Sequence, residues 1–386
     1  MRICLVYDCL FPHTIGGAER WYANLARQLV DDGHEVTYLT LRQWEGDEHG
    51  LEGVRVVAVG PRFELYRRGR RRILPPLVFG LGVLAHLVRY GRRYDVVHSA
   101  SFPYFSVLAA AVVRPLHRFR LVVDWHEVWT SAYWREYLGP LWGRFGSHIQ
   151  ALCLRAPQHA VCFAQLHAAR LRGRVNGGLT VLEGEYDGPL EHVLPQPAAP
   201  VVVLAARHIP EKRVPDLIPA VARAREALPQ LTAVVFGDGP DREEAIRRVR
   251  ELALEDVVSL PGFVSAETVE RTLATALCHV LPSRREGYGL VVVEAAAHGV
   301  PSVVVRSPDN AATELIEPGV NGFVARSSSA NDLAAAILAV HEAGQELRQA
   351  TAEWFAHNAE RLSLQSSLAR VSHVYGHMRG NAKAAD

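Results

Sequence analysis

Residues Leu281 to Val305 read LPSRREGYGLVVVEAAAHGVPSVVV: a polar, glycine-containing turn set between apolar runs, with one carboxylate, Glu286, in the turn and a second, Glu294, beyond it. The flanking segments, CHVLPS and VPSVVV, are short, rich in β-branched residues and bounded by Pro, Ser and Gly, which suits buried strands of a parallel sheet. Between them LVVVEAAAHG reads as a helix closed by Gly299. Strand, loop, helix and strand together are the unit from which α/β proteins are assembled. Glu286 then lies on the loop beyond a strand's carboxyl end, and Glu294 a little over one turn into the next helix.

The same alternation extends in both directions. RICLVYD, EVTYLTL, VRVVAVG, DVVHS, RLVVDW, AVCFA and LTVLEG are strand candidates in the first half. GAERWYANLARQLVDDGH is a helix in which Trp21, Leu25 and Leu29 recur at a spacing of four and Gly33 supplies the stop. At GPLEHVLPQPAAP the pattern breaks into a proline-rich connection. It restarts with VVVLAARHIPEKR, LTAVVFGDGPD, VVSLPGF and CHVLPS, separated by helical segments, and one or two helices are expected from about Val340 onward. A chain of 386 residues exceeds what one core usually supports. The fold class predicted is therefore α/β with two doubly wound Rossmann-like domains, over 1–192 and 198–360, followed by a helical segment over 361–386.

Composition narrows the function classes. A formal net charge of +1 gives no general cationic surface for nucleic acid. The five cysteines show no CxxC spacing and sit mostly in strand-like runs, as buried thiols of a reducing cytoplasm would. MRICLVYDCLFPHTIGG reads as a first strand rather than a signal peptide, so a cytoplasmic location is expected.

In open α/β sheets, ligands bind beyond the carboxyl ends of the strands. After the first strand, Gly16 and Gly17 precede a helix, where close backbone approach and free N–H groups suit a phosphate; a glycine turn needed only for chain geometry fits equally. In the second half, Arg207 and Lys212 share one loop. They read either as fixed cations for a diphosphate or as a solvated basic loop. Glu286 and Glu294 read either as acceptors for sugar hydroxyls or as a surface residue and a helix-dipole partner. His126, in LVVDWHEVW, follows another strand and could donate to a reacting hydroxyl; no second histidine stands at the spacing a zinc site would need.

Taken together these segments resemble the retaining GT-B glycosyltransferases, the group that includes glycogen and sucrose synthases and bacterial mannosyl- and glucosyltransferases. The resemblance spans nearly the whole chain. It rests on the E-x7-E motif EGYGLVVVE (Glu286 to Glu294), on IGGAER, on RHIPEK for the usual R-x4-K, and on VFGDGP, LPGFV and ELIEPGVNGFV in their order. It implies two domains facing across a cleft and a nucleotide-sugar donor whose diphosphate is held by Arg207, Lys212 and the Gly16–Gly17 loop. It also implies a ribose on Glu294, donor-sugar hydroxyls on Glu286 assisted by backbone N–H groups of Tyr288, Gly289 and Leu290, and a base near Gly262, Phe263 and Val264. His126 matches the family's histidine beside the donor sugar and acceptor. No cofactor or essential metal is implied, since no D-x-D triplet occurs and the two cations would take a metal's place. Two departures stand out: Arg213 where glycine often follows the lysine, and SPDNAATELI without the usual paired glycines.

Two readings are kept beside this one: a nucleotide-sugar epimerase or phosphorylase of the same architecture, and a non-catalytic nucleotide-sugar-binding protein. The basic segment 67–93, RRGRRRILPPLVFGLGVLAHLVRYGRR, reads either as a peripheral contact with an anionic membrane face or as a buried helix with a solvated cationic end. The aromatics of TSAYWREYLGPLW suit either sugar stacking or packing.

Overall fold

The computed structural model describes residues 1–46, 49–67 and 70–383, with the side chains of 66, 67, 70, 71 and 377–383 left out. Arg68 and Gly69 of the basic segment thus lie outside the described residues. The chain forms two compact units, one of residues 1–183 with 365–386 and the other of residues 184–364. The division falls at Glu183/Gly184, ahead of the proline-rich segment, which belongs to the second unit.

In the first unit, β1 (Arg2–Val6), β2 (Glu35–Leu41), β3 (Arg55–Gly60), β4 (Val96–Ala100), β5 (Arg120–Asp124), β6 (His159–Cys162) and β7 (Leu179–Val181) form one sheet. Its order is β3-β2-β1-β4-β5-β6-β7, and every pairing is parallel. All seven correspond to strand segments legible in the sequence. Parallel sheets are covered on both faces, which is why β4 is buried at every position. The helices are α1 (Gly17–Asp31), α2 (Leu74–Tyr90), α3 (Tyr104–His117), α4 (Ser131–Leu138), α5 (Pro140–Arg155) and α6 (Gln165–Leu171). Trp21, Leu25 and Leu29 form the buried stripe of α1, as their spacing requires. Tyr133 and Trp134 are buried, so those aromatics of the TSAYWREYLGPLW segment pack, whereas Trp142 is exposed.

The second unit holds β8 (Val201–Ala205), β9 (Thr232–Phe236), β10 (Val258–Gly262), β11 (Cys278–Leu281), β12 (Ser302–Val305) and β13 (Gly322–Ala325), with α7 (Leu217–Ala224), α8 (Arg242–Glu251), α9 (Ala266–Thr275), α10 (Leu290–Ala297) and α11 (Ala330–Leu362). Its sheet runs β10-β9-β8-β11-β12-β13, again all parallel. The short edge strand β13 is not legible as a strand in sequence. Its first residue, Gly322, takes φ 150°, and a Cβ there would stand 1.9 Å from the carbonyl oxygen of Ser302, so only glycine allows the strand to close on β12. In each sheet the strand order reverses once, between β1 and β4 and between β8 and β11, and ligands of such sheets bind at those points.

The C-terminal helices begin earlier than Val340. Ser329 caps α11 by accepting the N–H of Asp332, and the helix changes direction at Gly344, whose φ is 57°. Arg348, buried on α11, donates to the carbonyls of Ala274 (2.9 Å) and Ala276 (2.5 Å) at the end of α9, where a cation complements the helix dipole. From Gln365 onward, α12 (Leu364–Lys383) belongs to the first unit. There the hydroxyl of Tyr375 meets His98 Nδ1 at 2.5 Å, His98 Nε2 meets Asp124 Oδ1 at 2.7 Å, and Trp21 Nε1 donates to Asp124 Oδ2 at 2.8 Å. Burial would raise the Asp124 carboxyl, but the neighbouring histidines and Trp21 outweigh it and hold it below the usual range.

All five cysteines are buried and none is in a disulfide. His279, buried on β11, has its pKa pulled down to about 3 by burial. The unfolded chain takes up this proton near pH 6.5 and the folded chain only near 3, so between those values the unfolded state binds more protons and stability rises with pH. The stabilisation is complete above about pH 6.5 and is lost progressively as pH falls towards 3. His279→Asn is expected to flatten that part of the profile in thermal melts between pH 4.5 and 7; an unchanged slope would assign the acid sensitivity elsewhere.

Candidate active site

The loops after β8, β9 and β10 are stitched together through their backbones. Ala206 N–H donates to Phe236 O (3.2 Å), His208 N–H to Asp238 O (2.8 Å), Asp241 N–H to His208 O (2.9 Å) and Gly237 N–H to Gly262 O (2.9 Å). This closeness explains VFGDGP. Gly237 sits at φ 109° with the Ala206 carbonyl oxygen 1.9 Å from where a Cβ would stand, and Gly239 at φ 147° with the His208 carbonyl oxygen at 2.5 Å. The loop that carries Arg207 and Lys212 is therefore held by its neighbours.

Pro210–Lys212 forms a single 3-10 turn that places Lys212 Nζ 2.6 Å from both oxygens of Glu286. Glu286 reaches this point on a two-residue ribbon, Arg285–Glu286, paired in parallel with Asp309–Asn310. Asn310 locks the ribbon by donating to the carbonyls of Ser283 (3.1 Å) and Val305 (2.8 Å) while accepting from the N–H of Ala312 (3.1 Å). The side chains of Lys212 and Glu286 are 20% and 8% exposed, so Glu286 is not a surface residue and Lys212 is not part of a solvated loop. At this burial, removing either partner leaves the other charge uncompensated, which is far more costly than breaking a surface pair. Arg207, by contrast, is exposed at the end of β8.

Gly289 caps the start of α10 at φ 108°, with Ala312 Cβ 2.6 Å from where its own Cβ would lie. Tyr288, buried, and Leu290, partly exposed, flank it, and Glu294 is partly buried on the same helix. The charge of Glu294 also acts on a residue the sequence did not single out. Burial first, then the charges of Glu294 and Glu270, push the Tyr186 hydroxyl up to about 12. Tyr186 lies in the irregular GEYDG segment, whose only sequence signal is an aromatic among turn residues. At the end of β10, Gly262 (φ 81°) is buried, Phe263 is 65% exposed and Val264 is partly buried.

Arg213 also finds its explanation. Its φ of 50° and ψ of 37° are left-handed, where glycine is favoured. The guanidinium donates to Ser328 Oγ (2.8 Å), which donates to Asp216 Oδ2 (2.8 Å), while Arg248 holds Asp216 Oδ1 at 3.1 Å. The serine turn Ser327–Ser329 is thus held by specific bonds.

On the first unit, Gly16 is the extended cap of α1, and a Cβ on it would lie 2.4 Å from Glu19 Oε2. The helix start expected for an incoming anion therefore already neighbours a carboxylate of the chain, to whose Oε1 the Tyr7 hydroxyl donates at 3.4 Å. Gly17 has open space about it. His126, just past β5, stacks on Phe163 with ring centroids 4.9 Å apart and planes 4° apart, and its Nε2 has no partner among the described residues. Burial lowers its pKa against the opposing charges of Asp124, Glu19 and Glu127, so the imidazole is neutral at pH 7.

Residues 15–178 match the model of Glycosyltransferase Family 4, and residues 193–354 that of Glycosyl transferases group 1. The chain belongs to the family 4-like glycosyltransferases of the GT-B fold. This glycosyltransferase is 26% identical to the MMP alpha-(1->4)-mannosyltransferase of Mycolicibacterium hassiacum, over 97% of this chain and 98% of the relative. It is 24% identical to the glycogen synthase of Mycobacterium tuberculosis, over 88% and 86%. Among solved structures it is similar in fold to sucrose-phosphate synthase from Thermosynechococcus elongatus (TM-score 0.79, 19% identity, 98% and 99% covered). It is likewise similar in fold to Anabaena HepE in complex with UDP (TM-score 0.73, 19% identity, 98% and 100% covered). The epimerase, phosphorylase and non-catalytic readings give way to glycosyl transfer.

Proposed function

We propose that this glycosyltransferase is retaining and metal-independent, moving a hexosyl group from a nucleoside diphosphate sugar to a hydroxyl of a glycan, lipid-linked or natural-product acceptor. The observation that carries this reading is the meeting of Lys212 and Glu286 at the point where the strand order of the second sheet reverses. An ammonium has three donors, so Lys212 can turn one N–H to a diphosphate oxygen while keeping Glu286 in place. Glu286 retains lone pairs for the hydroxyls of the donor sugar. As the bond from the anomeric carbon to the diphosphate breaks, negative charge grows on the departing phosphate, and Lys212 with Arg207 stabilises it. The acceptor oxygen attacks from the same face, and its proton passes to that phosphate. Glu294 takes the ribose, and Gly262, Phe263 and Val264 take the base, the exposed ring of Phe263 offering a stacking surface. Gly16 and Gly17 present backbone N–H groups to the diphosphate, while His126, neutral, bonds a hydroxyl of donor or acceptor. The five buried thiols suit a cytoplasmic enzyme.

The likeness to HepE solved with UDP supports a nucleotide ligand. A second relative, a phosphatidylinositol monomannoside mannosyltransferase 30% identical over 36% of this chain, is named GDP-mannose-dependent. The base is chosen by experiment: of UDP, GDP and dTDP, the cognate one should raise the melting temperature most, with about 2.7 kcal/mol of stabilisation at a hundred times its Kd. With that donor the protein should release sugar slowly without acceptor, at a rate EDTA leaves unchanged. NMR of the first-formed sugar should show the donor's anomeric configuration. An inverted product, or activity lost to EDTA and restored by a divalent cation, would overturn the retaining or the metal-independent part.

A further inference from the structure

The overall charge conceals a division. Residues 1–183 with 365–386 carry 26 Lys and Arg against 16 Asp and Glu, a net of +10, while residues 184–364 carry 16 against 25, a net of −9. Within the first unit the imbalance is concentrated. Between Glu64 and Asp124 stand eleven arginines and one acidic residue, Asp95, which pairs with Arg2 at 3.6 Å. That stretch includes α2 and α3.

Leu74–Arg93 is long and apolar enough to cross a membrane by length and composition, yet less than half of its apolar stretch is buried. Its inner face rules out spanning. Phe79, Val83 and Leu87 are fully buried, Gly80 lies against Phe105 of α3, and Gly82 lies against the backbone of Val59 on β3. Its outer face is different. Leu74, Leu77, Leu81, Ala85 and Val88 recur at spacings of three and four and are all exposed, Leu81 by 66%. On the adjacent α3, Val112 and Leu116 are exposed as well, and His117 Nε2 contacts the carbonyl of Val88 at 3.0 Å, bringing the ends of the two helices together. Arg72 precedes the stripe. Arg89 and Arg93 close it, with guanidinium carbons 5.4 and 5.1 Å from the Tyr90 ring centroid.

We propose that this face of α2, with the adjoining end of α3, lies on an anionic lipid bilayer, the stripe entering the headgroup boundary and the flanking arginines meeting lipid phosphates. An exposed apolar stripe bounded by one sign of charge suits an interfacial helix, because long cationic side chains reach the headgroups while the leucines bury. Charge also decides among occupants. The same face on a second copy would repel it, and nucleic acid has no use for an apolar stripe. The proposal involves none of the residues assigned to the donor, so either reading can fail without the other.

The test is flotation of the full-length protein with vesicles of phosphatidylcholine alone or mixed with phosphatidylglycerol. Recovery is expected with the mixed vesicles only, weakening as salt rises. Leu77→Glu/Leu81→Glu should cut the bound fraction about tenfold or more. Arg89→Glu/Arg93→Glu should do so too, by removing charge rather than apolar contact. Circular dichroism and melting curves would establish that each variant folds, and the second pair keeps the test open if the first does not. No recovery with anionic vesicles, equal recovery on neutral ones, or recovery indifferent to both pairs overturns the proposal. So does competition by soluble glycerol phosphate, which indicates a headgroup pocket, or a concentration-dependent dimer in sedimentation that Leu77→Glu/Leu81→Glu abolishes.

Discussion

Lys212→Ala should lower kcat/KM by about 10²–10³-fold while leaving the overall fold in place, the loss typical of removing one electrostatic partner of developing charge. Lys212 Nζ stands 2.6 Å from both oxygens of a carboxylate that is nearly buried, so the variant also strands Glu286. A stranded carboxylate costs about 1–3 kcal/mol, a stability effect separable from the kinetic one. Glu286→Gln separates them further: it keeps shape and one acceptor but removes the charge, so it should fold well and still lose most activity. The two positions touch, so their effects should not add, and the double variant should be little worse than the poorer single one. Additive losses, or near-normal donor hydrolysis by Lys212→Ala, would mean that the pair is a structural clip and that the donor is held elsewhere.

Asp124→Ala should be the most damaging single change to stability, at about 3–5 kcal/mol, because it removes one member of a fully buried, hydrogen-bonded charged cluster and leaves His98 and Trp21 facing a void. Native domains have only about 5–15 kcal/mol to lose. The effect should fall on the first unit, which contains all four members of the cluster. Calorimetry would then show that unit's transition displaced by roughly 6–20 °C, on the basis of about 2–4 °C per kcal/mol for a domain of this size. Tyr375→Phe removes a single hydrogen bond and should cost about 1 kcal/mol. Equal melting of Asp124→Ala and the parent chain would show that the cluster stabilises nothing, whatever its geometry.

Much of the fold is readable from local pattern. Strands of a parallel sheet are buried on both sides, so each is an apolar run that needs no partner to be recognised, and all seven strands of the first sheet are legible in this way. β13 escapes because an edge strand of four residues opening with glycine has too little apolar sequence to stand out. The start of α11 escapes for a related reason. A serine run resembles a flexible turn until Ser327, Ser328 and Ser329 are seen bonding Asp332, Asp216 and the N–H of Asp332.

The residue types needed for the chemistry, and their attachment to strand ends, follow from short-range spacing, since turn, strand and helix are decided over a few residues. Which of those groups meet is not a local property. Lys212 and Glu286 are 74 positions apart, and they converge because β8 and β11 are neighbours in space and because Asn310 and the glycines of VFGDGP hold the intervening loops. The same holds for Glu19 at the start of α1, for Tyr186 within the field of Glu294, and for the outward face of α2, a helix whose composition alone suits a membrane span. Side-chain proximity across a sheet depends on strand order and burial, and these emerge only when the whole chain has collapsed around its cores.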